Sequence, residues 1–137
     1  MILDTSLLLA AFVPDQRMHE ACARALAVTR PLIVSPLVLA ELDYLTTQIA
    51  GVGAELTLLE ELCSGAYELA TLGLDDLIQA RHVIARYRDL SLSLTDASLI
   101  VLADRYGIET IGTLDERHFR VVRSLRGRPL RLLPADA

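Results

Sequence analysis

Short apolar segments alternate with longer amphipathic ones along the whole chain. Apolar runs of three or four residues indicate strands, whereas apolar residues spaced three and four apart indicate helices. The pattern predicts strands at residues 1–4, 32–34, 67–70, 109–112 and, at one edge, 130–133. Helices are predicted at about residues 6–12, 19–28, 36–49, 54–63, 74–88 and 96–106, and a short turn at 115–119.

Proline and glycine residues support several of these boundaries. Pro14 ends the first helix, because proline cannot continue a helical hydrogen-bond ladder. Ser35 followed by Pro36 is typical of a helix start. Gly51 and Gly53 predict a break after that helix, and a further glycine closes the helix at 96–106.

Strands that alternate with helices favour a largely parallel sheet covered by helices. The 137 residues are enough for one domain, and no linker, repeat or low-complexity segment divides them. Because ligands of such sheets bind beyond the carboxyl ends of the strands, candidate functional residues are sought there.

Composition limits the class of protein further. Hydrophobic residues make up 53% of the chain and aromatic residues 4%, so the core must be aliphatic. No apolar run approaches the length of a membrane span. The apolar N-terminus lacks a basic segment and contains Asp4, so we expect a cytoplasmic protein without a signal peptide. Cys22 and Cys63 do not form a CxxC pair and are expected to be free, buried thiols.

The formal net charge is −5, which argues against a general nucleic-acid coat protein but not against a nuclease. All 13 basic residues are arginine, and six of them lie between Arg117 and Arg131. This cluster is either a solvated surface or a phosphate-binding edge.

Asp4, Asp96 and Asp115 stand at positions that favour a shared site. Asp4 ends the first predicted strand and Asp115 follows the fourth, so both should lie at the carboxyl edge of the sheet. Asp96 opens a predicted helix whose next turn is apolar. Each acid alone has a structural interpretation: a helix N-cap for Asp4, a favourable helix-dipole position for Asp96, and a turn or cap for Asp115.

Glu41 is the fourth acid of interest. Its neighbours three and four residues away are Leu37, Val38, Tyr44 and Leu45, which predicts a carboxylate on an apolar face, whereas Asp43 has more polar neighbours and is expected at the surface. Four clustered carboxylates without a lysine would repel one another, and a divalent cation would neutralise them. Oxygen ligands suit Mg²⁺ or Mn²⁺.

Four segments together resemble the PIN-domain family, and within it the VapC ribonucleases. They are MILDTS, SPLVLAEL, LSLTDASLIVLADRYG and IGTLDERHF, in this order and covering almost the whole chain. The resemblance implies an α/β fold in three α/β/α layers, spanning residues 1–137 as a single domain. It further implies an Mg²⁺- or Mn²⁺-dependent endoribonuclease and toxin that cleaves RNA, is inhibited by a cognate antitoxin and forms a homodimer.

The same resemblance implies roles for individual residues. Asp4, Glu41, Asp96 and Asp115 would form the metal site, and Thr113 would be the hydroxyl residue that accompanies the last acid. Ser6 either binds a ligand or caps the first helix, and the cap is the preferred interpretation. Independently of the resemblance, the C-terminal arginine cluster would be free to hold RNA phosphates, and its candidates for that contact are Arg117, Arg120 and Arg123.

Rival functions differ in the residues they require. A receiver domain needs an acid pair near the first strand and a late lysine, and a HAD-type phosphatase needs Asp-x-Asp where this chain has Ser6 at the third position. A non-catalytic PIN scaffold that only binds a partner is the remaining alternative. None of the three histidines is an obvious catalytic residue, although His118 is close enough to Asp115 in sequence to face substrate.

Overall fold

The computed structural model describes all residues from Met1 to Ala137. Its strands are β1 (Ile2–Leu3), β2 (Ile33–Val34), β3 (Glu68–Leu69), β4 (Thr110–Gly112) and β5 (Arg131–Leu133). Its helices are α1 (Thr5–Phe12), α2 (His19–Val28), α3 (Pro36–Leu62), α4 (Leu74–Arg86), α5 (Leu94–Tyr106) and α6 (Glu116–Phe119).

The five strands form one sheet in the order β3-β2-β1-β4-β5, and every neighbouring pair is parallel. Helices α1, α2 and α3 connect the strands on one side of β1, and α4 and α5 make the connection back to β4, so the right-handed crossover rule assigns the two groups to opposite faces. The expected three-layer α/β/α architecture is confirmed. Strands β2 and β3 are added on one side of β1, and β4 and β5 on the other, so the strand order reverses between β1 and β4. A crevice at such a reversal is the usual ligand site of an open parallel sheet.

The core is aliphatic, as the composition required. Its residues come from both strands and helices, and α5 contributes an unbroken buried run from Ala97 to Ala103. Phe119 is the one aromatic side chain among the fully buried ones. None of the helices combines the length and apolar character needed to cross a membrane.

The predicted break between the helices at 36–49 and 54–63 is confirmed, because Gly51 leaves helical geometry (φ 83°, ψ 178°) and kinks α3 into two helical segments. Other predicted boundaries were wrong. Helix α4 ends at Arg86 and is followed by a 3₁₀ turn, Arg88–Leu90. Helix α5 begins at Leu94, so Asp96 occupies its third position. Cys22 is buried as expected, but Cys63 caps the exposed end of α3 and is exposed.

Candidate active site

Three polar residues follow directly after neighbouring strands at the carboxyl edge of the sheet. Leu3 of β1 pairs with Val34 of β2 and with Gly112 of β4. The next residues along the chain are Asp4, Ser35 and Thr113, and all three are buried. Strand register therefore brings together side chains that are up to 109 residues apart in sequence.

Asp4 lies at the centre of this edge and is 6% exposed. Its Oδ1 accepts a hydrogen bond from the Thr5 N–H (2.8 Å), which makes it the N-cap of α1. Its Oδ2 accepts hydrogen bonds from the hydroxyls of Ser6 (2.6 Å) and Thr113 (2.7 Å). The N-cap interpretation of Asp4 is thus correct. The same carboxylate also accepts the two hydroxyl hydrogen bonds at the edge of the sheet.

Burial raises the pKa of Asp4, and the negative charge of Asp96 raises it further, whereas the hydrogen bonds from Ser6, Thr113 and Thr5 oppose the shift. Asp4 forms no salt bridge with any arginine. A buried carboxylate with three donors and no cation is an arrangement that a positive charge would stabilise.

Ser6 was expected to cap α1, and this prediction was wrong. Its hydroxyl donates to Asp4 and accepts from the Leu114 N–H (2.9 Å). Thr113 mirrors it, because its hydroxyl donates to Asp4 and accepts from the Asp115 N–H (2.9 Å). The two hydroxyls tie the end of β1 to the loop after β4, across the point where the sheet reverses.

Asp96 lies in the first turn of α5 and is half-buried. It forms a reciprocal capping box with Ser93: the Ser93 N–H donates to Asp96 Oδ2 (3.1 Å), and the Asp96 N–H donates to Ser93 Oγ (3.0 Å). The structural interpretation of Asp96 as a first-turn acid therefore holds. Its negative charge also raises the pKa of Asp4.

A buried pair of serines beneath the site was missed by sequence reasoning. Ser98 Oγ donates to the Thr95 carbonyl (2.6 Å), so the hydrogen bond between Ser35 and Ser98 (2.9 Å) must use the Ser35 proton. This contact fixes the start of α5 against the end of β2. Its only sequence indication was a serine on the otherwise apolar face of α5.

Asp115 is the N-cap of α6 and is held by one residue, His118. Its Oδ1 accepts from the His118 N–H (3.1 Å), and its Oδ2 is 2.7 Å from His118 Nδ1. Asp115 is connected to Asp4 through Thr113, whose hydroxyl binds both residues.

Glu41 differs from the other three acids. The buried residues in the first part of α3 are Val38, Leu42 and Thr46. The helix face that includes Glu41 lies one residue earlier along the helix than this buried face. Glu41 is exposed and its side chain makes no hydrogen bond, so its placement on a buried apolar face was wrong. Asp43, expected at the surface, is half-buried, and its proximity raises the pKa of Glu55.

The four acids do not converge as a preformed metal cage. No group of three or more His, Cys, Asp or Glu side chains lies close enough together to hold a metal ion. The donor chemistry nevertheless fits a hard divalent cation, because the edge offers carboxylate oxygens and the uncompensated, buried Asp4. Asp4, Asp96 and Asp115 are the residues whose surroundings fit that role.

Arg117, Arg120 and Arg123 have different surroundings. Arg120 forms ion pairs with Glu116 (2.8 Å) and Asp136 (2.6 Å), which hold its guanidinium against the C-terminal segment and lower the pKa of Asp136 to about 2. Arg117 and Arg123 are exposed and form no ion pair.

Comparison with known proteins agrees with this architecture. Residues 1–124 match the PIN domain family. The chain is 44% identical over 135 residues to Ribonuclease VapC26 of Mycobacterium tuberculosis, covering 98% of this chain and 100% of the relative.

Two solved structures with similar folds are named VapC20 and VapBC2. Mycobacterium tuberculosis VapC20, described as a Sarcin-Ricin loop cleaving toxin, superposes with a TM-score of 0.78 at 22% identity, over 84% of this chain and 89% of that one. VapBC2 from Rickettsia felis, bound to a DNA fragment from its promoter, gives a TM-score of 0.67 at 17% identity, over 96% and 95%. At these identities the likeness concerns the fold alone. The match over residues 1–124 and the 44% identical relative show that this chain belongs to the PIN-domain family, among its VapC-type members.

Proposed function

We propose that this protein is a VapC-type endoribonuclease and toxin that depends on a divalent metal ion, Mg²⁺ or Mn²⁺. The observation that carries the proposal is the buried Asp4 carboxylate, which has no cationic partner and lies at the sheet reversal next to Asp96 and the Thr113–Asp115 loop. The relative that is 44% identical is named a ribonuclease, which supports RNA as the substrate.

In this proposal Asp4, Asp96 and Asp115 hold the metal ion, and Glu41 joins them from α3. Thr113 and Ser6 orient the Asp4 carboxylate, and Ser93 orients that of Asp96. A bound divalent ion would lower the pKa of water and offset the negative charge of a phosphodiester. One of the carboxylates accepts the proton of the attacking water.

We expect RNA phosphates to contact exposed arginines of the C-terminal cluster. Arg117 and Arg123 are the stronger candidates, since neither is committed to an ion pair. Arg120 belongs to the same proposed surface, but its ion pairs with Glu116 and Asp136 give it a second task in anchoring the C-terminal segment. We further propose that residues 1–137 form one PIN domain, since β5 extends the same sheet beyond residue 124. We also expect this domain to act in the cytoplasm.

Two protein partners belong to the proposal. Leu74, Leu77 and Ile78 form an exposed apolar stripe on α4, which supports a homodimer through apolar helix faces. The second partner is an antitoxin, which is supported by the VapC-type relatives and by the likeness of the fold to VapBC2. We expect the antitoxin to insert an arginine among the site carboxylates, because a guanidinium can bridge two of them when no metal is bound.

The proposal is tested by RNA cleavage with purified protein. Cleavage should require Mg²⁺ or Mn²⁺, stop in EDTA and be lost in Asp4→Asn, Glu41→Gln, Asp96→Asn and Asp115→Asn. Asp43→Asn, on the same helix as Glu41, is the matched control and should cleave normally. Persistent cleavage in EDTA, or full activity of Asp96→Asn, would refute the metal mechanism.

The chemistry of the product ends gives a second test. Direct attack of water on phosphorus leaves 5′-phosphate and 3′-hydroxyl ends, whereas attack by the 2′-hydroxyl leaves a 2′,3′-cyclic phosphate. End-labelling of the fragments distinguishes them. If no RNA is cut under any metal condition while an antitoxin still binds, the chain is a non-catalytic PIN scaffold.

A further inference from the structure

Among the acids of the site, Asp115 has both carboxylate oxygens engaged by a single residue. The backbone N–H of His118 donates to Oδ1 (3.1 Å), and its ring Nδ1 lies 2.7 Å from Oδ2. We propose that His118 is a positioning residue, which fixes the orientation of the Asp115 carboxylate for binding the metal ion. This inference rests on the proposed function and extends it to a residue outside the acidic set.

The direction of the ring hydrogen bond follows from the chemistry of the two groups. An ionised carboxylate only accepts hydrogen bonds, so Nδ1 must carry the proton that lies between them. Both the neutral Nδ1–H tautomer and the imidazolium ion satisfy this requirement. The contact therefore orients Asp115 whichever of these two forms the ring adopts.

The ring of His118 is held by the structure around it. His118 belongs to α6, and the next residue, Phe119, is 1% exposed and packs in the core. The His118 side chain itself is only 19% exposed. On the other side, the Asp115 N–H donates to Thr113 Oγ1 (2.9 Å). The backbone of Asp115 is thus held by Thr113, which also binds Asp4, and its side chain is held by His118, next to the buried Phe119.

Positioning by hydrogen bonds is a shared feature of the buried or half-buried acids here. Ser6 and Thr113 hold Asp4, and Ser93 holds Asp96. His118 performs the equivalent task for Asp115. Each oxygen of Asp115 accepts one hydrogen bond and keeps a second lone pair, so the contacts orient the carboxylate without blocking a cation.

The experiment measures Mn²⁺ binding to the RNA-free protein by calorimetry, together with kcat for RNA cleavage. Loss of a hydrogen-bond partner behind a metal-binding carboxylate typically costs about 10- to 100-fold in metal affinity. We expect that loss in His118→Ala. His118→Asn should bind Mn²⁺ within about threefold of wild type, because the Asn amide can donate from nearly the same position as Nδ1.

His118→Gln, whose amide lies one bond further out, should resemble His118→Ala. If His118→Ala does not fold, as judged by thermal unfolding, the comparison of His118→Asn with His118→Gln decides the question. His82→Ala is the matched control, because His82 is exposed and forms no hydrogen bond, and it should behave as wild type.

Three results would overturn the inference. Wild-type Mn²⁺ affinity in both His118→Ala and His118→Gln would show that the contact is not used. Loss of kcat in His118→Asn with unchanged Mn²⁺ affinity would make His118 a proton donor or acceptor instead. Wild-type Mn²⁺ affinity in Asp115→Asn would refute the metal role of Asp115 itself, which is a failure of the proposed function rather than of the contact alone.

Discussion

Gly112 is the residue where packing and site geometry are most tightly connected. A Cβ at this position would lie 2.9 Å from Met1 Sδ, 3.1 Å from Leu7 Cδ1 and 3.2 Å from Leu3 Cδ2. Ordinary contacts of a Cβ begin near 3.4 Å, so the buried side chains of Met1, Leu3 and Leu7 would have to move together. We predict that Gly112→Ala destabilises the protein by about 1–3 kcal/mol, as overpacking of a filled core does.

The expected shift of the melting temperature follows from chain length. An unfolding entropy of about 2.1 cal/mol/K per residue gives about 0.29 kcal/mol/K for 137 residues, or about 3.5 °C per kcal/mol. Gly112→Ala should therefore melt about 3.5–10 °C lower. Gly53→Ala is the matched control: no atom lies within 4 Å of its added Cβ, and alanine favours a helix over glycine by about 0.5–1 kcal/mol. It should melt about 2–3.5 °C higher.

Gly112→Ala should also impair RNA cleavage, although the residue carries no functional group. The Gly112 carbonyl accepts from the Asp4 N–H (2.9 Å), so separating β4 from β1 moves Asp4 relative to Thr113. A displacement of about 1 Å in a catalytic site can cost about 100-fold in rate. Circular dichroism melts and cleavage assays on both variants check the two effects. A melting temperature at or above wild type for Gly112→Ala would refute the packing argument.

Three further predictions concern charge and assembly. Burial raises the pKa of Asp4 in the folded, metal-free protein above its unfolded value of about 3.9. The protonated Asp4 therefore stabilises the fold fully at pH below about 3.9, and this stabilisation is lost as the pH rises through the folded-state pKa. Asp4→Asn should accordingly melt higher than wild type at neutral pH but not near pH 3, and an equal difference at both pH values would contradict the assigned cause. Arg117→Ala and Arg123→Ala should each lower the salt dependence of RNA binding by about one unit of log–log slope per lost phosphate contact, measured by titration at several salt concentrations. Arg120→Ala should do so less, and an unchanged slope in all three would remove this surface from the proposal. Light scattering should give a dimer at tens of micromolar, which a charge at Leu77 (Leu77→Glu) should dissociate; a wild-type monomer would refute the dimer.

The sequence by itself determined the layer order and the elements that carry the site. Alternating apolar strands and amphipathic helices required a parallel sheet covered by helices, and helix and strand periodicity are local properties that a sequence displays directly. Asp4 and Asp115 were placed at the carboxyl edge because each follows a strand. Glu41 was assigned to the wrong environment, since its neighbours on α3 include both buried and exposed apolar residues and periodicity cannot distinguish the two.

Only the tertiary structure decided how these residues contact one another. Strand order places β4 beside β1, and this non-local pairing brings the hydroxyls of Ser6 and Thr113 onto the same oxygen of Asp4. The hydrogen bond from Ser35 to Ser98 joins two helix starts 63 residues apart, and no local pattern predicts it. The hydrogen bond between His118 and Asp115 joins residues only three apart. It nevertheless depends on the position of α6, which is set by the packing of Phe119 in the core. Periodicity reports which face of an element is buried, whereas hydrogen-bond partners across elements are fixed only when the sheet order and register are known.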